Sequence, residues 1–85
     1  MPEVSRFYGI VISVNYGDHL PPHFHARYSG HHAAVSLGGR IIAGSLPPRA
    51  LALVLTWAAQ HRNELHSDWE LAKAGRPLAP IEPLD

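Results

Sequence analysis

The chain has 85 residues, 46% hydrophobic and 16% charged, with seven Lys and Arg balanced by seven Asp and Glu and no cysteine. That composition suits one globular domain with one modest core and not a disordered segment, and the missing cysteines exclude a disulfide scaffold and a thiolate zinc site. Charge balance removes the long-range field that draws most nucleic-acid binders to phosphate.

No basic segment followed by an apolar run opens the chain, so no signal peptide is expected. The longest apolar stretch, Ala50 to Ala59, is too short to span a bilayer. Together with the lack of cysteine these features suggest a cytoplasmic protein.

In chain order, Phe7 to Tyr16 reads as a strand, with Ile10, Ile12, Val14 and Tyr16 alternating against Val11, Ser13 and Asn15. Gly17-Asp18 breaks it, and Pro21-Pro22 forms a stiff extended connector. His23 to Tyr28 is a second strand. Ser29-Gly30 is a two-residue hairpin turn into a third, His31 to Leu37. Gly38-Gly39 turns again, into a short fourth strand from Arg40 to Ala43.

The period then changes. Pro48 is a favoured first helical residue, and Leu51, Val54, Leu55 and Ala58 follow at helical spacing, with Leu65, Trp69 and Ala72 continuing the stripe and Gly75 as a stop. One helix from Pro48 to Ala74 would be about 40 Å long. A domain of this size is only roughly 30 Å across, so a break is expected, with Asn63 or Ser67 as the cap of a second helix. The fold class is therefore α+β: a three- to four-stranded antiparallel meander, packed by one or two C-terminal helices. Within a single domain of residues 1–85, residues 1–44 form the sheet and 45–75 the helical part. Residues 76–85 form an extended proline-rich tail.

Seven histidines are the unusual feature. A two-residue turn at Ser29-Gly30 sets the register by arithmetic: Tyr28 opposite His31, Arg27 opposite His32, His25 opposite Ala34 and Phe24 opposite Val35. One face then carries Phe24, Ala26, Tyr28, Ala33, Val35 and Leu37. The other carries His23, His25, Arg27, His32, Ala34 and Ser36. Alternate residues on a strand are about 6.5–7 Å apart, and His25 and His32 are diagonal neighbours. Neutral imidazoles suit zinc or nickel, so His23, His25 and His32 are candidate ligands of a divalent transition metal. Asp18 and His19 lie within reach just before Pro21-Pro22. The plainer reading is a solvent-facing strand rich in histidine. A third is metal-free acid–base chemistry, a small nuclease in which His23 and His25 move protons while Arg27 steadies a developing phosphate charge. His61 and His66 read as buried or capping residues, and Glu64, Asp68 and Glu70 as helix N-terminal charges.

The helix from Pro48 to Gln60 is apolar most of the way round. Ala52, Leu55 and Ala59 form a second stripe offset from the first. Either the C-terminal segment covers it, or a second copy of the chain or another protein does.

Ser5-Arg6-Phe7-Tyr8-Gly9-Ile10, Asp18-His19, Pro21-Pro22-His23-Phe24-His25, Gly44-Ser45-Leu46-Pro47, Trp57 and His61 together resemble the bacterial domain-of-unknown-function family 4160. The resemblance covers nearly the whole chain. It implies a small cytoplasmic protein whose gene neighbours that of another small protein, a toxin–antitoxin-like pair, and it assigns no catalytic residue. The chain departs from that pattern in its short Gly38-Gly39 turn and in Ala52, Leu55 and Ala59, where relatives tend to carry charge.

Overall fold

The computed structural model describes residues 2–85. Its first strand, β1 (Glu3–Phe7), turns straight back into β2 (Ile10–Ser13) through Tyr8 and Gly9. Both turn residues have positive φ, 50° and 78°, the requirement of the two-residue turn whose twist matches the flanking strands. The expected single strand from Phe7 to Tyr16 is thus the second half of a hairpin. Its start pairs Phe7 with Ile10, and Val14 to Tyr16 lie beyond its end.

The next two strands, β3 (His23–Tyr28) and β4 (His31–Ser36), are joined by Ser29 and Gly30, again at positive φ (47° and 83°). Their register pairs Phe24 with Val35, His25 with Ala34, Arg27 with His32 and Tyr28 with His31, as the turn arithmetic requires. β5 (Ile41–Ser45) closes the sheet, with a bulge opposite the Ala34–Val35 step. The sheet is one antiparallel meander in the order β1-β2-β3-β4-β5. It has five strands rather than the expected three or four, because Glu3 to Phe7 forms a further strand that pairs with β2.

Helix α1 (Pro48–Gln60) begins at the proline, and α2 (Arg62–Lys73) follows with only His61 between them. His61 ends one helix and begins the other at φ −125°, ψ 28°, with no side-chain cap. Asn63 and Ser67, the expected caps, lie inside α2. The break answers the size constraint: the longest extent of the molecule is 33 Å, shorter than an unbroken helix would be.

Trp57 of α1 sits at the centre of the core. It is fully buried, with its ring 5.4 Å from Phe7 and 5.9 Å from Phe24. Ile10, Ile12, Phe24, Ala26, Ala33 and Val35 supply the sheet's inner face, and Ala50, Val54 and Ala58 the helix's. Each large side chain removed from water contributes about 1.5–3 kcal/mol. From α2, Leu65, Trp69 and Ala72 join the same cluster. The tail beyond Gly75 is extended and bound to the body: the Ile81 amide donates to the Val4 carbonyl at 2.8 Å, and the Trp57 indole N–H to the Glu82 carbonyl at 2.8 Å. Among the described residues no helix is long and apolar enough to cross a membrane.

Candidate metal centre

Two imidazoles from one strand and a carboxylate from the loop before it meet at a single oxygen. His23 and His25 stand two apart on β3, so alternation sends both to the same face, away from Phe24 and Ala26. The loop between β2 and β3 brings Asp18 over that face. Its Oδ2 lies 2.9 Å from His23 Nε2 and 2.9 Å from His25 Nε2. One ligand atom from each of the three residues lies within 4.8 Å of the others.

The group is sheltered. His23 is 4% exposed and packs 5.3 Å from the Trp69 ring of α2, while the Asp18 and His25 side chains are 15% and 13% exposed. Burial works against ionisation of Asp18. The His25 hydrogen bond, the His19 backbone N–H and the charges of His23 and His25 together outweigh it and hold the carboxyl below its ordinary value.

Proton bookkeeping at His23 is informative. Its Nδ1 lies 2.7 Å from the Pro21 carbonyl oxygen, which can only accept, so Nδ1 carries a proton and donates it. A neutral His23 then presents a bare Nε2 lone pair to a carboxylate oxygen. Two acceptors at 2.9 Å need a cation between or upon them, either a proton on Nε2 or a metal ion. A backbone acceptor on Nδ1 with Nε2 turned inward is also the usual environment of a ligating histidine. Donor atoms 2.0–2.2 Å from a tetrahedral zinc are about 3.3–3.6 Å apart, so seating an ion would move each of the two imidazole nitrogens, now 2.9 Å from Asp18 Oδ2, only about half an ångström further from that oxygen.

The other candidates fall around this centre. His32 meets the opposite nitrogen of His25, with His32 Nε2 3.1 Å from His25 Nδ1, and so lies outside the Asp18–His23–His25 group. Partial burial, followed by the charges of His25 and Arg27, pushes its pKa below the ordinary histidine value. His19 is 85% exposed, with Nδ1 3.3 Å from the other Asp18 oxygen. Arg27 is exposed, across from His32 in register. Four surface clefts are lined by residues other than Asp18, His23, His25 and Arg27.

His61 lies at the helix junction, with Nδ1 2.6 Å from Glu64 Oε1 and its ring 5.5 Å from Trp57. His66 is exposed. Asp68 is a correction: it lies inside α2, is 1% exposed and accepts the Ala79 amide at 2.9 Å. It ties down the tail and is not a surface charge at a helix start. On α1, Ala52 and Ala59 are exposed and Leu55 is half-buried beside the Gly38-Gly39 turn, in a groove it shares with Leu37 and Arg62. The tail passes elsewhere, along Trp57, Asp68 and Val4.

No curated protein and no solved structure matches this chain. A family model, described as Domain of unknown function (DUF4160), matches residues 9–70, a span that holds the Asp18–His23–His25 group and the β3–β4 hairpin and leaves out β1. With more than half its length matched, the chain belongs to the domain of unknown function 4160 family.

Proposed function

We propose that this protein is a small cytoplasmic metal-binding interaction protein in which Asp18, His23 and His25 hold a divalent transition metal, zinc or nickel, with solvent completing the coordination. The observation that carries the reading is the convergence of two buried-side imidazole nitrogens on one carboxylate oxygen, with the proton of His23 committed to the Pro21 carbonyl. A mixed imidazole–carboxylate set suits these metals better than calcium or magnesium, which take oxygen ligands. Bound there, the ion supplies a fixed positive charge that clamps the β2–β3 loop onto the sheet.

The same loop displays Leu20, 69% exposed, two residues from the candidate ligand Asp18. Metal occupancy would therefore set how this apolar side chain is presented to a partner. That partner is either a second copy, through Ala52, Leu55 and Ala59, or a small protein encoded nearby, as in a toxin–antitoxin-like pair. The four clefts described above are lined by residues other than His23, His25 and Arg27, which supports a binding role over a nuclease.

Zinc and nickel titrations against a chromophoric chelator test the reading. Wild type should take up one ion per chain, and the His23→Ala, His25→Ala double variant should take up none. Equal uptake by the two, or none by wild type, would refute it.

A further inference from the structure

In the proposed metal centre each ligating imidazole must keep its one proton on Nδ1, because the metal takes the Nε2 lone pair. That N–H needs an acceptor. For His23 the acceptor is the Pro21 carbonyl, part of the backbone. For His25 the atom facing Nδ1 is His32 Nε2, at 3.1 Å. The two ring planes are within 14° of parallel, and their centroids are 5.2 Å apart. A centroid separation so much longer than the N···N contact puts the two nitrogens between the ring centres. The N–H of one ring therefore points at the lone pair of the other. The placement is rigid, since His32 sits on β4 opposite Arg27, diagonal to His25 across a regular ladder.

We propose that His32 is the positioning residue of this centre: it accepts the His25 Nδ1–H and so holds His25 in the tautomer and orientation that turn Nε2 toward Asp18 and the ion. The inference rests on the metal reading above. It gives His32 a role other than ligand, because a metal on His25 Nε2 lies on the far side of that ring from His32. Without the ion, a neutral His25 can give its proton to Asp18 through Nε2 and accept from His32 at Nδ1. Loading then reverses the His25–His32 hydrogen bond: the proton on His25 moves from Nε2 to Nδ1, and that on His32 moves from Nε2 to its own Nδ1, so His32 Nε2 passes from donor to acceptor.

Zinc affinity, measured by chelator competition on wild type, Asp18→Ala, His32→Phe and His32→Gln, tests this. Ring ¹⁵N shifts are recorded with and without zinc. Phenylalanine keeps a planar ring and removes the acceptor, whereas the glutamine carbonyl can stand where Nε2 was. Losing an outer-sphere partner of this kind typically costs 10–100-fold in metal affinity. The expected result is that loss in His32→Phe with one zinc per chain retained, recovery to within a few-fold in His32→Gln, and a His25 Nδ1–H with an unprotonated His32 Nε2 in the loaded protein. If Asp18→Ala loses zinc while His32→Phe binds as wild type does, the centre stands and the role of His32 is overturned. A loss in both His32 variants as complete as in Asp18→Ala makes His32 a ligand and also overturns it. No zinc uptake by wild type overturns the centre itself, and the His32 role with it.

Discussion

The indole N–H of Trp57, at the centre of the core, donates to the carbonyl of Glu82 at 2.8 Å. The last residues of the chain are thereby tied to its most buried side chain. Ile81, one residue before, is 4% exposed and donates its amide to Val4 at 2.8 Å, along the outer edge of β1. The tail is thus hydrogen-bonded to the edge strand β1 at one point and adds Ile81 to the core. Ile81→Ala should lower stability by about 2–5 kcal/mol, the range for truncating a buried isoleucine, as read from urea unfolding. A change below about 0.5 kcal/mol, the level of ordinary surface substitutions, would mean the tail is not part of the cooperative unit.

Asp68 offers a pH-dependent counterpart. Burial raises its pKa first of all, opposed by the Ala79 amide and assisted by the nearby Glu64 carboxylate. An acid whose pKa is raised by folding holds its proton more tightly folded than unfolded. Its contribution is fully present below the unfolded value near 3.8 and is lost as pH rises through the folded value. Asp68→Asn keeps an acceptor for Ala79 without the charge. The melting temperature of Asp68→Asn relative to wild type should therefore climb as pH increases upward from 4. A difference that stays flat with pH would contradict this account.

Gly44 stands at φ 76° in β5, and a Cβ there would overlap the carbonyl oxygen of His32. Gly17, at φ 66°, has open space around it. Alanine at Gly17 should cost about 1–2 kcal/mol, the left-handed conformational term alone. Alanine at Gly44 should cost clearly more, because β4 and β5 must separate. Equal unfolding midpoints for the two variants would show that the approach of Gly44 to His32 carries no weight.

Much of this fold was legible in the residues. Ser29-Gly30 forced a two-residue turn, and from it the β3–β4 register, the Phe24–Val35 core pair and the shared side of His25 and His32 followed by alternation. The first hairpin was missed because tyrosine is an unusual residue at positive φ. Its signal lay elsewhere: Phe7 and Ile10 are both core residues yet three apart, a parity that one straight strand cannot satisfy. The break at His61 left no mark, since a single non-helical residue without a side-chain cap has no sequence signature. Asp18 could be placed from the sequence only within reach of the imidazoles and not between them, because an irregular loop has no periodicity that fixes where its side chains point.

The α1 stripe bears on partners. Ala52 and Ala59 are exposed and flank the half-buried Leu55, an arrangement that lets a second helix approach closely. On the proposal that a second copy covers this stripe, wild type should be an oligomer and Leu55→Glu a monomer in light scattering at micromolar concentration, with a small change in melting temperature, since Glu is a good helix former. A wild-type monomer throughout that range, paired with a strongly destabilised variant, would place Leu55 in the monomer core alone.

Asp18, His23 and His25 should together bind one metal ion, and anomalous scattering from crystals of the zinc-loaded protein would locate it. One strong peak per chain is expected between Asp18 Oδ2, His23 Nε2 and His25 Nε2, within about 2.0–2.2 Å of each, with His32 Nε2 still on His25 Nδ1. No peak at that position, or zinc held only by exposed histidines such as His19 and His31, would contradict it.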